Sequence, residues 1–323
     1  MKLATFNNNT ADGQLVVISN DGARFAPAGT SMQAALENWA SFEASLEAIS
    51  TALNNGTLAG QTVQTTELCA PLPRAWQWLD GSVYKSHADL MGAVTGMEVK
   101  TLEGRPLMYQ GLSDTFLSAT ADVPMASEAD GIDFEGEFGI IVDEVPMGVT
   151  PEQARQHIKL IVQINDWSLR AYSGPEISTG FGWIHAKPPC SVAPFAVTPE
   201  ELGEHWENCQ VQLRLNVEWN GKKFGHAHGG HMQYGFDELV AHAARTRSLV
   251  AGTVIGSGTV SNDEYREVGS SCIAERRGIE LLDQGEAKTG FMHYGDTVRM
   301  EARTPADQVV FGAIEQKVTQ PGS

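Results

Sequence analysis

Residues 131–142, GIDFEGEFGIIV, set acids at every second position of an otherwise core-like run. In a strand, residues i and i+2 point to one face, so Asp133, Glu135 and Glu137 would share a face. Phe134, Gly136 and Phe138 would take the other. Like charges on one face repel, and burying an unpaired carboxylate costs on the order of several kcal/mol. A divalent cation is one remedy, because hard oxygen ligands turn the repulsion into attraction. A strand face open to water is the ordinary alternative. The apolar FGIIV that follows argues for depth, but the pattern leaves both readings open.

Other residues raise the same question. Asp166 ends the apolar run in LIVQINDWSLR (160–170), either at a strand tip opening into a site or capping a turn. Asp80, in WLDGSVYKSHADL, precedes an expected turn, and His87 starts a helical stretch seven residues later. A lone histidine at a helix start is more often a surface or capping residue than a base. GHAHGGHMQYGF holds His226, His228 and His231, whose types suit a transition metal. Two glycines break the run before His231, so a Gly-rich hairpin with solvent-facing histidines is the expectation. The GSGT of residues 256–259 lacks the Lys-Ser/Thr of a phosphate loop and reads as a tight turn.

These residues need elements to hold them. MKLATF and QLVVIS read as strands around a turn at NNNTADG. Met32, Leu36, Trp39, Phe42, Leu46, Ile49 and Leu53 recur at helical spacing and predict one amphipathic helix, with Thr30 and Gln33 as a capping box and Gly56 as its stop. The Pro-punctuated CAPLPRAW (69–76) is the expected linker. Beyond it, short apolar runs at 138–142, 158–164, 210–218, 253–260, 278–282 and 297–302 alternate with turn residues. SHADLMGAV, TPEQARQHI and FDELVAHAART read as helices. The expected architecture is α+β and predominantly β, with a small N-terminal β/α module over 1–75 and a larger β-rich domain over 76–323.

The chain has 323 residues, 42% hydrophobic and 19% charged, enough for a large folded core. Its net charge of −18 repels phosphate backbones and argues against a nucleic-acid partner. Cys69, Cys190, Cys209 and Cys272 form no CxxC pair, which fits a reduced, cytoplasmic setting. Cys69 and Cys272 read as small buried residues without the flanking base of a nucleophile. No apolar run has membrane length.

Taken in order, the pieces resemble the fumarylacetoacetate hydrolase family over about residues 76–316. The resemblance rests on Asp80 with His87, EGEFG, NDWSLR, AKPPCSVAP, GSGTVSN, GSSCIAERR and GAIEQ. It implies a mixed β-roll after a small β-barrel-like domain, and a homodimer. It also implies Mg²⁺ or Ca²⁺, with Mn²⁺ as a further option, held by Asp80, Glu135, Glu137 and Asp166. Lys187 and the hydroxyl of Ser191 would lie near the metal, and Asp133 falls outside the ligand set. Its loss is therefore expected to spare turnover.

The implied chemistry is hydrolysis of a C–C bond in a β-diketo acid, as in the breakdown of tyrosine and other aromatic compounds. The metal polarises the chelated carbonyl. His87 activates water, and Glu275 orients His87. Lys187 meets developing enolate charge. Arg170, Tyr109 and Thr259 contact the substrate or its water. Each has a bland alternative, such as Lys187 on a surface turn or Arg170 paired with a structural acid.

The chain also departs from the family pattern. Gly81 and Ser82 stand where eukaryotic fumarylacetoacetases carry an aromatic pair, and Ser173 or a neighbour replaces a Gln after NDWS. The exact small-molecule acid is therefore open. Acylpyruvate hydrolysis, oxaloacetate decarboxylation, hydroxymuconate isomerisation and a non-catalytic metal- or ligand-binding relative stand as alternatives.

Overall fold

The computed structural model describes residues 1–96 and 104–322. Its largest sheet runs, edge to edge, Gln61–Thr62, Arg24–Pro27, Gln14–Ile18, Lys2–Phe6, Ala196–Val197, Ile158–Asn165, Gly136–Val142, Val254–Gly256, Trp78–Ser82 and Leu107–Gly111. A second sheet has the order Lys222–His228, Arg214–Trp219, Thr297–Arg303, Ile314–Thr319 and Val123–Pro124. The mixed α+β class expected from the sequence is the one observed.

The N-terminal strands do not close into a barrel. Lys2–Phe6 pairs with Gln14–Ile18 on one side, as the turn at NNNTADG requires, and with Ala196–Val197 on the other. The small module thereby extends the large sheet. The expected linker is packed rather than loose, because Ala70 and Leu72 are buried and the Thr5 hydroxyl donates to the Pro71 carbonyl at 2.6 Å.

The central strand Gly136–Val142 is buried along its whole length. Phe138, Ile140 and Val142 face the core shared with Leu215, Met300 and Phe311 of the second sheet and its surroundings. Ile141 faces the opposite core, with Leu36, Trp39, Leu46 and Leu53 of the N-terminal helical stretch. Burial on both faces explains the continuous apolar run. It also makes Glu137, with the strand parity of Ile141, a carboxylate inside the protein.

Three expectations about helices are corrected. The predicted single helix is two, Met32–Glu37 and Trp39–Asn54, broken at Asn38, which leaves the helical region (φ −136°, ψ 38°). Ser31, not Thr30, caps the first, accepting from the Ala34 N–H at 3.2 Å. The apolar run 278–282 belongs to a helix, Ile273–Gln284, rather than a strand. Its apolar residues line one side of a helix, a pattern too short to separate from a strand by composition. A further helix, Arg170–Thr179, lies outside the expected ones; it contains Gly174 and Pro175, residues that ordinarily break a helix. Among the described residues, no helix is long and apolar enough to cross a membrane.

Candidate metal and catalytic site

Four neighbouring strands bring the acids together. Asp80 lies on Trp78–Ser82, paired in register with Tyr109 on one side and Gly256 on the other. Gly256 in turn pairs with Gly139 of the strand that carries Glu137. Glu137 pairs with Ile164, and Asp166 follows the end of that last strand. Gly256 thus sits between two acid-bearing strands. A Cβ there would lie 2.4 Å from Asp80 Oδ1 and 3.0 Å from Glu137 Oε2. The missing side chain is what lets the two carboxylates meet. Gly258, two residues on, has φ +79° and donates its N–H to Asp80 Oδ1 and Glu137 Oε2, both at 3.2 Å. GSGT is therefore a close backbone approach to the acids as well as a turn.

Asp80, Glu137 and Asp166 offer oxygens that all lie within 4.8 Å of one another, and all three side chains are buried. Burial and the Asp166 charge push the Asp80 carboxyl up to about 8. Burial, Asp80 and Asp166 likewise hold Glu137 well above the usual range. Glu137 Oε1 is buried with no hydrogen-bond partner. Such a set is costly as it stands, and a hard divalent cation fits it: the donors are all oxygen, one is orphaned, and their mutual repulsion is what a cation relieves.

Glu135 stands beside this trio in different company. Lys187 Nζ donates to Glu135 Oε2 and Asp166 Oδ2, both at 2.6 Å. Arg170 donates to Glu135 Oε1 at 2.6 Å and to Asp133 Oδ2 at 2.8 Å. Burial alone would raise the Glu135 carboxyl, but Lys187 and Arg170 outweigh it and hold it well below the usual range. Of the four acids expected as ligands, three therefore converge. The fourth is salt-bridged at their rim.

The expected base and its partner also meet. His87 Nδ1 lies 3.5 Å from Glu275 Oε1. Glu275 is fully buried, and its Oε1 accepts from the Ser261 hydroxyl, which itself accepts from Ser86 Oγ at 2.9 Å. Both His87 Nδ1 and Glu275 Oε2 are buried without hydrogen-bond partners.

The remaining expected residues fall around this centre. The Tyr109 hydroxyl donates to Asp166 Oδ2 at 2.5 Å. Thr259 is buried next to Gly258. The Ser191 hydroxyl turns away and accepts from the Trp167 indole at 2.9 Å. Its neighbour Cys190 faces the acids, donating from Sγ to Asp166 Oδ1 at 2.9 Å. Burial and Asp166 raise this thiol, so it remains a donor. Cys190 and Ser261 have no site role in the sequence reading, although both lie inside motifs quoted above. Asp133, outside the trio, accepts from the N–H groups of Ile273 and Ala274 at 2.7 and 2.9 Å. His226, His228 and His231 do not converge as a metal site among the described residues. His226 Nδ1 instead meets Asn216 Oδ1 at 2.5 Å.

Comparison with known proteins gives the family and the fold. A family model described as fumarylacetoacetate (FAA) hydrolase C-terminal matches residues 77–319, and one described as fumarylacetoacetase N-terminal domain 2 matches 1–74. The fumarylacetoacetase of Caenorhabditis elegans is 24% identical over 280 residues, covering 75% of this chain; the match spans only 62% of that protein. Two crystal structures share the fold at 17% identity. Maleylpyruvate hydrolase from Sphingobium sp. SYK-6, in complex with manganese (II) ion and pyruvate, has a TM-score of 0.67 and covers 99% of each chain. The 5-carboxymethyl-2-hydroxymuconate delta-isomerase of Mycobacterium smegmatis has a TM-score of 0.61 and covers all of both chains.

Proposed function

This chain belongs to the fumarylacetoacetate hydrolase family, and on that premise we propose that it is a metal-dependent hydrolase of C–C bonds in fumarylacetoacetate or a related β-diketo acid. The observation that carries this reading is the buried trio Asp80, Glu137 and Asp166 in the same site as Lys187, with His87 against a buried Glu275. The trio, with Glu135 at its rim, would hold Mg²⁺, Ca²⁺ or Mn²⁺, and a cation there supplies Lewis-acid polarisation of the substrate's oxygens.

The protein's own groups do the rest. His87 takes a proton from water as the water oxygen adds to the carbonyl carbon. Glu275 stabilises the imidazolium so formed. The C–C bond then breaks, with its electron pair passing to the departing enolate. Lys187 stands where that negative charge develops, and the proton held on His87 returns to the enolate carbon. Two acids leave. Tyr109 and Thr259 border the substrate's place. Arg170 holds Glu135 and Asp133. The reading includes a cytoplasmic homodimer, which the four free cysteines and the family resemblance support.

Acylpyruvates are the second substrate class. The support is the fold shared with a maleylpyruvate hydrolase whose structure holds manganese and pyruvate. One experiment tests both: a panel of β-diketo acids and acylpyruvates, with Mg²⁺ or Mn²⁺ and with EDTA, followed by loss of the diketone's ultraviolet absorbance. Acid release that persists after complete metal removal would overturn the mechanism. No release from any panel member would favour a non-catalytic relative.

A further inference from the structure

Lys187 depends on a segment with little regular structure of its own. Residues 180–187 leave the helix Arg170–Thr179 through Gly180 (φ 72°) and Gly182 (φ 99°) and run into Pro188 and Pro189. One side chain gathers this strip. Glu176 accepts from the N–H groups of Ile184 at 3.0 Å, His185 at 2.8 Å and Ala186 at 3.1 Å. The His185 ring approaches the same carboxylate at 3.1 Å. Three consecutive backbone donors thus converge on one acid, whose side chain is only 15% exposed.

The placement of Glu176 runs against local preference. It lies in the last turn of its helix, where the helix dipole disfavours an acid. The three N–H bonds offset that cost. What they secure is the backbone directly before Lys187. Ala186 is buried, and its carbonyl accepts from the Leu169 N–H at 2.8 Å. The next residue sends its ammonium to Glu135 and Asp166. The same strip carries Trp183, edge-on to Tyr109 at 5.9 Å, and Tyr109 also donates to Asp166.

We infer that Glu176 is a positioning residue for the active site: by clasping the backbone of residues 184–186 it sets where the Lys187 ammonium and the Trp183 ring stand. The inference rests on the reading of Lys187 given above. A flexible lysine held at its backbone loses less freedom when its ammonium is fixed. A displacement of about 1 Å at such a group costs on the order of a hundredfold in rate.

The test is a cycle of four proteins: wild type, Glu176→Gln, Lys187→Met and the double variant. Each is measured for kcat and KM, for Mn²⁺ affinity by calorimetry, and for hydrogen exchange of amides 184–186 by mass spectrometry. Glu176→Gln is expected to lower kcat at least about tenfold, and to speed exchange of those amides at least about tenfold. Mn²⁺ is expected to bind it as tightly as wild type or more tightly, because Lys187 occupies oxygens of Asp166 and Glu135 that a cation would use. In the Lys187→Met background the Glu176 change is expected to cost several-fold less kcat than in wild type, since most of its effect passes through Lys187 and only the Trp183 part remains.

The inference is overturned if the two losses multiply, if Mn²⁺ affinity falls together with turnover, or if the three amides keep wild-type exchange. Should Glu176→Gln fail to fold, Glu176→Asp, which keeps the charge on a shorter arm, takes its place in the cycle. If wild type cleaves no panel substrate, the proposed activity fails. The Mn²⁺ and exchange measurements still decide whether Glu176 places Lys187.

Discussion

Asp133 and Arg170 are joined in the interior: the guanidinium donates to Asp133 Oδ2 at 2.8 Å, and the same carboxylate caps the helix Ile273–Gln284. Arg170 also grips Glu135, and the helix carries Glu275. One acid outside the converging trio therefore ties the metal side of the site to the side that bears His87's partner.

This link changes what Asp133→Ala should do. As a residue outside the ligand set, its loss was expected to spare turnover. Removing it leaves a buried guanidinium short of a partner and two helix N–H groups without an acceptor. That costs about 3 kcal/mol of stability. The expected outcome is a lower Tm and a kcat reduced at least about tenfold, with Mn²⁺ affinity nearly unchanged, read by thermal unfolding, steady-state kinetics and calorimetry. Full activity in a folded variant would return Asp133 to a bystander.

Removal of the metal should abolish turnover, and Glu137→Ala should abolish metal binding, because its carboxylate belongs to the convergent trio and keeps one oxygen, Oε1, without a hydrogen-bond partner. Glu135→Ala frees Lys187 and Arg170 together. It is expected to reduce kcat more than it reduces Mn²⁺ affinity. Equal losses of affinity in both variants would place Glu135 fully among the ligands.

The raised Asp80 carboxyl gives a pH dependence. Its folded value of about 8 lies above its ordinary value of 3.8, so between them the folded protein holds a proton that the unfolded chain has released. Stability of the metal-stripped protein is therefore expected to fall as pH rises from about 4 to about 8. Cation binding displaces that proton. Calorimetry in buffers of different ionisation enthalpy should show proton release on Mn²⁺ binding that diminishes as pH approaches about 8.

His87→Ala separates the candidate reactions. Hydrolysis needs a base for water, so the variant should lose about 10²- to 10⁴-fold in kcat. Decarboxylation or isomerisation needs less of that base. Activity retained in this variant on oxaloacetate or a hydroxymuconate would shift the assignment to those chemistries.

Gly256→Ala tests the geometry of the acid trio. The added Cβ would meet Trp78 at 2.3 Å and Asp80 at 2.4 Å. Both are packed, so the clash is expected to lower Tm and weaken Mn²⁺ binding together, checked by unfolding with and without the cation.

Local sequence determined a great deal here. The two-residue period of GIDFEGEFGIIV put Asp133, Glu135 and Glu137 on one face, and the apolar FGIIV that follows argued for depth without deciding it, because parity is a property of consecutive residues whereas burial depends on what packs against them. Ordered motifs likewise picked out Asp80, His87, Asp166 and Lys187. Tertiary structure alone decided which groups touch. Cys190, directly before the strand Ser191–Val192, rather than Ser191 meets Asp166, since successive side chains of an extended chain point oppositely. Arg170 pairs with Asp133 and Glu135, more than thirty residues before it, and Glu275 meets Ser261 from outside its own helix. A carboxylate's partner is set by whatever the fold brings within about 3 Å of it, and no local period encodes that distance.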